Sequence, residues 1–357
     1  MLALIFSLIL HVAAGESINA ALDSARAVYA ARGEQTTIYL APGTYQEELT
    51  IDIPGLRLIN RYKAPAKITW YYGHGYQYRS MGDTPNYGGS RTRRWNASVL
   101  VTAPDFYAQH IIFENSFNLY VSEKEAADSL VDISQSDMPW TEKERPKKVM
   151  PPRPKEVGST EVAKKAYRER AAAISFTETA TNAHLKNCTA IGKQDVLYGD
   201  QGASIYWEGG VLSGSVDFIF GGMKMVVDHA TIIANITDEK NDNCYIAAGR
   251  SETGTRGLLF WHCHITSPVP HRVWLARPWR WWGETVWAYT TWDENVLVPG
   301  AWHTGLVKKQ EGFNPLNPCP NSYEYQSQDH SVGRPQWVKV LTQPILPDGT
   351  PIDPKTW

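Results

Sequence analysis

At 357 residues the chain can bury roughly three-quarters of its unfolded surface, as one large domain or two ordinary ones. A 43% hydrophobic and 20% charged composition excludes wholesale disorder, collagen-like order and a coiled coil. With 35 basic against 37 acidic residues, a formal net charge of -2, there is no electrostatic footprint for a nucleic-acid partner. Within that balance, 14 Trp and 18 Tyr stand out. Flat aromatic faces beyond the needs of a core, without a basic excess, point to sugars as stacking partners.

The chain starts on the apolar run MLALIFSLILHVAAG, shorter than the roughly 20 residues that cross a bilayer, so no membrane anchor is expected. Its length and the small residues Val12-Ala13-Ala14 fit a signal peptide over residues 1–14 and hence secretion, although no basic leader precedes it. A buried first strand is the alternative. From Ser17 to Gly33, apolar residues Ile18, Leu22, Ala25 and Tyr29 recur every three or four positions, with Ser17 placed as N-cap and Gly33 just beyond the end, which predicts one amphipathic helix. Beyond it come short β-branched or aromatic runs (TTIYLA, LTIDI, ASVLVTA, AAAISF, MVVDHATIIA) separated by Gly, Asn and Asp. No second long helix alternates with them, which disfavours a doubly wound sheet.

These runs have a period. Aligning QHIIFENS, KNCTAIG, WEGGVLSG, DHATIIA and WHCHITS makes Ile111, Cys188, Gly209, Ala230 and Cys263 equivalent, with intervals 209 - 188 = 21 and 230 - 209 = 21. Such a period predicts an all-β solenoid, a parallel β-helix whose rungs stack on one another and whose N-terminal end is capped by the Ser17–Gly33 helix. An antiparallel sandwich is disfavoured because its Asn-Gly and Asp-Gly hairpin turns are nearly absent. Two segments break the period, Tyr71 to Arg94 and Ser122 to Lys165. The second carries dense charge and the prolines of RPKKVMPPRPKE, a composition that predicts loops without a core of their own. The interval from Ile111 to Cys188 is 188 - 111 = 77, which returns to nearly one rung once about 50 inserted residues are removed. Residues 15–357 are therefore expected to form a single β-helix domain with insertions near 71–94 and 122–165; a small separate domain is the alternative. Four cysteines, Cys188, Cys244, Cys263 and Cys319, are too few to staple so long a chain, and at least two are expected as buried thiols.

Two aspartates sit in apolar or aromatic surroundings: Asp195 in QDVLY and Asp217 in GSVDFIFG. Burying an unpaired carboxylate is costly, so each needs a partner or a function. Their separation, 217 - 195 = 22, is one rung to within a residue, which puts both on the same side about 4.8 Å apart in the stacking direction. A turn-capping role for each is the bland alternative; the shared spacing favours a catalytic dyad. His262-Cys263-His264 has a spacing compatible with metal, but no third ligand is evident and a structural role is expected.

The words QDVLYGD, GSVDFIFGG and WLARPW, with GTYQEE at Gly43 to Glu48, occur in order and at compatible spacings, and the chain from about Ser17 to Val340, insertions excluded, resembles the pectin methylesterase family. The resemblance implies a right-handed parallel β-helix that hydrolyses methyl esters of galacturonate in pectin and releases methanol. It implies Asp217 as nucleophile, Asp195 as general acid then base, and Gln194 as oxyanion donor. Arg277 would position Asp217 and keep it ionised. Substrate contacts are implied at Trp279, Tyr198 and Phe218. No metal or organic cofactor is required, and a secreted monomer acting on pectin, with no nucleic-acid or membrane partner, is expected. The sequence departs from the pattern in three places. Arg170-Ala171-Ala172-Ala173-Ile174 stands where a Gln-Ala-Val-Ala-Leu type of stretch is usual, so Arg170 takes the first glutamine's place and adds charge to an oxyanion donor. Ala276 replaces a glycine before Arg277. The strand that normally precedes the capping helix is either missing or supplied by the apolar start. Two other readings remain open at this point: a glycan-binding β-helix that has lost its chemistry through Arg170, and an esterase acting on a different acyl ester.

Overall fold

Short strands of this chain pair in parallel and build three long sheets of eleven, eight and seven strands among the described residues. Each rung supplies one strand to each sheet in turn. Ala183–Lys186, Thr189–Ile191 and Leu197–Gly199 are followed by Ser204–Glu208, Val211–Gly214 and Val216–Gly221, each stacked in parallel on its counterpart of the rung before. The architecture, a parallel β-helix, is seen in a computed structural model that describes residues 7–82, 96–132, 151–305, 307–328 and 333–357. A continuous apolar core fills it from Val12 to Val338.

The corner between the eleven- and eight-stranded sheets explains the period. One residue per rung turns there in the left-handed region: His110, Asn187, Gly209, His229, His262 and Tyr289, with φ between 49° and 66°. Asn, Gly and His tolerate that conformation better than β-branched residues do. The residue after each turn points inward and stacks along the axis. Strand register makes this inner column Ile111, Cys188, Gly210, Ala230 and Cys263. Gly209, which the alignment placed in the column, instead occupies the turn beside Asn187 and His229, so the intervals become 210 - 188 = 22 and 230 - 210 = 20. Gly210 itself has φ 71°, and a Cβ there would lie 2.0 Å from the Cys188 carbonyl oxygen. Gly210→Ala is expected to destabilise the fold by about 3 kcal/mol or more, since backbone opposes the new atom and left-handed strain adds to the clash. A urea midpoint equal to that of the parent would refute it. The same corner accounts for His262-Cys263-His264: His262 stacks between His229 at 4.9 Å and Tyr289 at 4.6 Å, while His264 bonds Thr291 and Asp293 from outside the sheet. All four cysteines are buried free thiols.

The predicted helix forms over Ile18–Arg32. Ser17 Oγ accepts from the Ala20 N–H and Gly33, left-handed at φ 65°, closes the far end onto the Tyr29 carbonyl. Glu47, from GTYQEE, accepts the Ile18 and Asn19 N–H groups at 2.8 and 3.0 Å, a carboxylate against the positive end of the helix dipole. The helix buries Ile18, Leu22 and Ala25 over the end of the solenoid. Leu8–Val12, within the apolar start, is a strand that pairs in parallel with Thr36–Leu40 and so supplies the strand ahead of the helix. No helix among the described residues is long and apolar enough to cross a membrane.

Of the two expected insertions, residues 83–94 and 133–150 lie outside the described residues. The rest is more ordered than its composition implies. Gln77–Tyr78 pairs antiparallel with Leu130–Asp132, joining the two insertions. Tyr71, Tyr72, Tyr76, Tyr78 and Phe117 form a buried cluster of their own, which corrects the expectation of loops without a core. The aromatic rings supply apolar area that a count of charges overlooks, and a buried Arg153–Glu125 pair at 2.8 Å, with the Tyr78 hydroxyl donating to Glu125, satisfies the charge beneath.

Candidate active site

The seven-stranded sheet carries both aspartates on adjacent rungs. Gln194 bridges Val216, and Leu197 pairs Ile219, a shift of 22 in each case, so Asp195 and Asp217 are register partners. Both adopt the left-handed region, at φ 54° and 48°, and both are 4% exposed. At Asp217 the ladder to the next rung slips between Val216 and Ile219, a bulge that re-aims the side chain out of the regular alternation. Aspartate tolerates the left-handed region better than a β-branched residue would, and here it stands at the same point of two adjacent rungs.

Arg277 follows Val273–Ala276, two rungs further on, where its N–H bonds the Ala247 carbonyl. Its fork grips Asp217, Nε to Oδ1 at 3.0 Å and Nη2 to Oδ2 at 2.5 Å. The guanidinium also lies 3.8 Å over the Tyr245 ring. Burial works against its charge, but the Asp217 carboxylate more than offsets this and raises the Arg277 pKa. Gly305, at φ 55°, lets the chain pass close by: a Cβ there would sit 2.6 Å from Arg277 Cγ. Asp195 has no such fork. Burial foremost, then the Asp217 charge, push its carboxyl well above the usual carboxylate range, although Arg170 and Arg277 pull the other way. The pair is thus asymmetric, one carboxylate gripped by a guanidinium and one whose neutral form is favoured by burial and by its neighbour's charge.

Arg170 and Gln194 occupy one column. Arg170 bridges Gln194, which bridges Val216, and this places both side chains one step before the aspartates along the rungs. Gln194 is half-buried and Arg170 is 6% exposed. The Arg170 segment is anchored by the buried Arg168–Asp242 fork, at 2.5 and 3.0 Å, and by Asn118, which bonds both backbone groups of Glu169.

Beside the dyad lies an aromatic patch of Tyr198, Phe220 and Trp279, with Ala248. Tyr198 and Phe220 rings are 5.3 Å apart, and Phe220 and Trp279 meet edge to face at 5.5 Å. Two of the three expected substrate contacts, Tyr198 and Trp279, therefore stand together. Phe218 does not join them. It is 1% exposed in the central core, where it closes on Gly214, and Phe220 takes the outward place. The bulge at Asp217 sends Phe218 and Ile219 both inward, and only then does alternation bring the next ring out. Phe220, Tyr245, Arg250 and Glu169 were not singled out from sequence. Phe220 had no local signal, because plain alternation from Asp217 would turn it to the opposite face and only the bulge restores it. Tyr245, under the Arg277 guanidinium, and Arg250, whose Nη2 donates to the Tyr198 hydroxyl at 2.6 Å, meet the site only through stacking of distant rungs. Trp281, by contrast, donates its indole N–H to the Glu311 carbonyl and packs against the adjoining loop.

The fold is that of the pectin methylesterases, right-handed parallel β-helices. A pectin methylesterase solved in complex with a hexasaccharide superposes with a TM-score of 0.65 at 20% identity, covering 95% of this chain and 94% of the other. The enzyme from Yersinia enterocolitica gives 0.64 at 24% identity, over 91% and 94%. Residues 159–310 match the family model described as Pectinesterase. Pectinesterase 31 of Arabidopsis thaliana is 33% identical over 133 residues, 37% of this chain. The chain spans 40% of that relative's length and between 24% and 41% of the other curated relatives most similar to it.

Proposed function

We infer that the chain is a pectin methylesterase, hydrolysing methyl esters of galacturonate in pectin to the free acid and methanol. The observation that carries this reading is the asymmetric dyad: Asp217 in the fork of Arg277, one rung from an Asp195 whose pKa burial and the Asp217 charge raise. Asp217 attacks the ester carbonyl carbon, and the oxyanion so formed draws on the amide of Gln194 and the guanidinium of Arg170. Asp195 gives its proton to the departing methoxy oxygen, and methanol leaves an acyl-enzyme on Asp217. The ionised Asp195 then takes a proton from water, whose oxygen attacks the acyl carbon. Collapse returns Asp217 as carboxylate and Asp195 as acid. Tyr198, Phe220 and Trp279 offer pyranose-stacking faces next to the reacting ester.

Secretion is part of the same reading, since the substrate is extracellular polysaccharide. Methanol release from highly methylated pectin is the direct assay; a folded preparation that releases none would overturn the reading. Arg170→Gln tests the donor role. If Arg170 only supplies N–H groups, an amide in its place is expected to leave the rate within about tenfold. A collapse to the level of Asp217→Asn would make its charge part of the chemistry.

A further inference from the structure

We propose that Glu169 is the positioning residue for Arg170, fixing its guanidinium and cancelling the positive charge that it would otherwise place against Asp195. The proposal rests on the esterase reading above. Glu169 Oε1 accepts from both the backbone N–H and the Nε–H of Arg170, at 3.1 and 3.2 Å, and the two side chains are each only 7% exposed. The Glu169 backbone is in turn clamped by Asn118, whose Nδ2 donates to its carbonyl at 2.6 Å and whose Oδ1 accepts its N–H at 3.1 Å. A buried carboxylate held this firmly beside a buried guanidinium is a fixed pair, not a surface contact.

The pair matters because of where it stands. Arg170 shares a column with Gln194, whose next residue is Asp195. Among the described residues, the charged groups that act on Asp195 are Asp217 on the adjacent rung, Arg277 beyond it, and Arg170 with Glu169 on the other side; His74, buried and neutral, faces Arg170. An amide in place of Arg170 would bring no charge to this face. A lone arginine there would favour the ionised form of Asp195, which is the wrong form for an acid that must protonate a leaving methoxide. With Glu169 present, the oxyanion donor keeps its N–H groups and the added charge is offset within one residue. The substitution of arginine for glutamine is thereby made compatible with acid catalysis.

The experiment compares wild type, Glu169→Gln, Glu169→Asp and the double variant Glu169→Gln/Arg170→Gln in the pH dependence of kcat on methylated pectin. Glu169→Gln removes the carboxylate held against Arg170, so the alkaline limb, where Asp195 loses its proton, is expected to move down by about one pH unit, and kcat near neutrality to fall about tenfold. The double variant returns the limb towards its original position, and Glu169→Asp retains it. The Asp195 carboxyl carbon resonance in protein labelled at aspartate, assigned by its loss in Asp195→Asn, is followed in parallel and is expected to titrate lower in Glu169→Gln. An unshifted resonance and limb in Glu169→Gln, or a shift that the double variant fails to reverse, overturns the proposal. A wild type inactive on pectin overturns the esterase reading instead, while the resonance still reports on Glu169.

Discussion

Asp217→Asn is expected to lower methanol release by several orders of magnitude while binding of pectin changes little, because the amide keeps the shape but lacks the negative charge of the attacking carboxylate and retains only one acceptor for the Arg277 fork. Asp195→Asn is expected to cost about 10² to 10⁴ in kcat, the usual worth of a general acid, since methoxide must then leave unprotonated. The two variants part company in stability. Asp195 has a folded pKa raised above its unfolded value, so the stability it contributes is present below the unfolded pKa and is lost as pH rises through the folded one. At neutral pH an unfolded chain would ionise this carboxyl freely and the fold opposes it, so Asp195→Asn should melt higher than wild type at pH 7 while being nearly inactive. Asp217→Asn removes the partner of a buried arginine and should melt lower. Calorimetry beside the methanol assay reads both. Equal melting shifts of the same sign in the two variants would deny the asymmetry from which the acid and the nucleophile are assigned.

How far the sequence carried depends on how local each constraint is. The interval between Asp195 and Asp217 is legible because one rung has nearly constant length, and the pair falls into register with no help from elsewhere. The capping helix is legible because Ser17, the apolar spacing and Gly33 all lie within it. The offset between Gly209 and Gly210 is not: an alignment by apolar character cannot tell which of two adjacent glycines turns and which stacks, and the backbone of Cys188 on the neighbouring rung decides it. Phe218 failed for a related reason. Its neighbour Asp217 adopts φ 48°, and a bulge shifts the side-chain phase that a plain strand would keep. The aromatic cluster around Tyr76 and Phe117 joins two segments whose contact is entirely non-local, so composition alone read them as separate loops. The pairing of Glu169 with Arg170 is adjacent in sequence, yet its meaning required knowing that Arg170 stacks on Gln194.

Acid should destabilise this protein through His74 before the carboxylates held low by arginines are protonated. His74 is 1% exposed in the Tyr71–Tyr78 segment, its backbone N–H donating to the Arg170 carbonyl at 2.9 Å. Burial first, and then the Arg170 charge, lower its pKa to about 3. The folded state therefore binds this proton less readily than the unfolded chain, whose histidine titrates near 6.5, and stability present above that pH is lost as pH falls from there towards 3. By pH 5 the loss reaches about 2 kcal/mol, at 1.36 kcal/mol per pH unit, and it approaches about 5 kcal/mol at the lower end. Lys193, lowered to about 8 by burial foremost, titrates above this window and contributes a constant within it. Asp195, whose folded pKa is raised, acts in the opposite sense all the way from its folded down to its unfolded pKa, but equally in wild type and in His74→Gln, so the difference between the two isolates the histidine; the carboxylates held low by arginines, such as Asp242, lose their contribution only below the ordinary carboxylate range. The half-buried His303 is lowered too, by burial and then by Arg277, and adds in the same direction. Relative to His74→Gln, the wild-type urea midpoint should therefore drop as pH falls from 7 to 5. Parallel curves would show that His74 is not the group taking up the proton. Because the segment that holds His74 also bonds the backbone of Arg170, the first acid-induced opening should displace the oxyanion side of the dyad, so activity should decline on the acid side ahead of global unfolding.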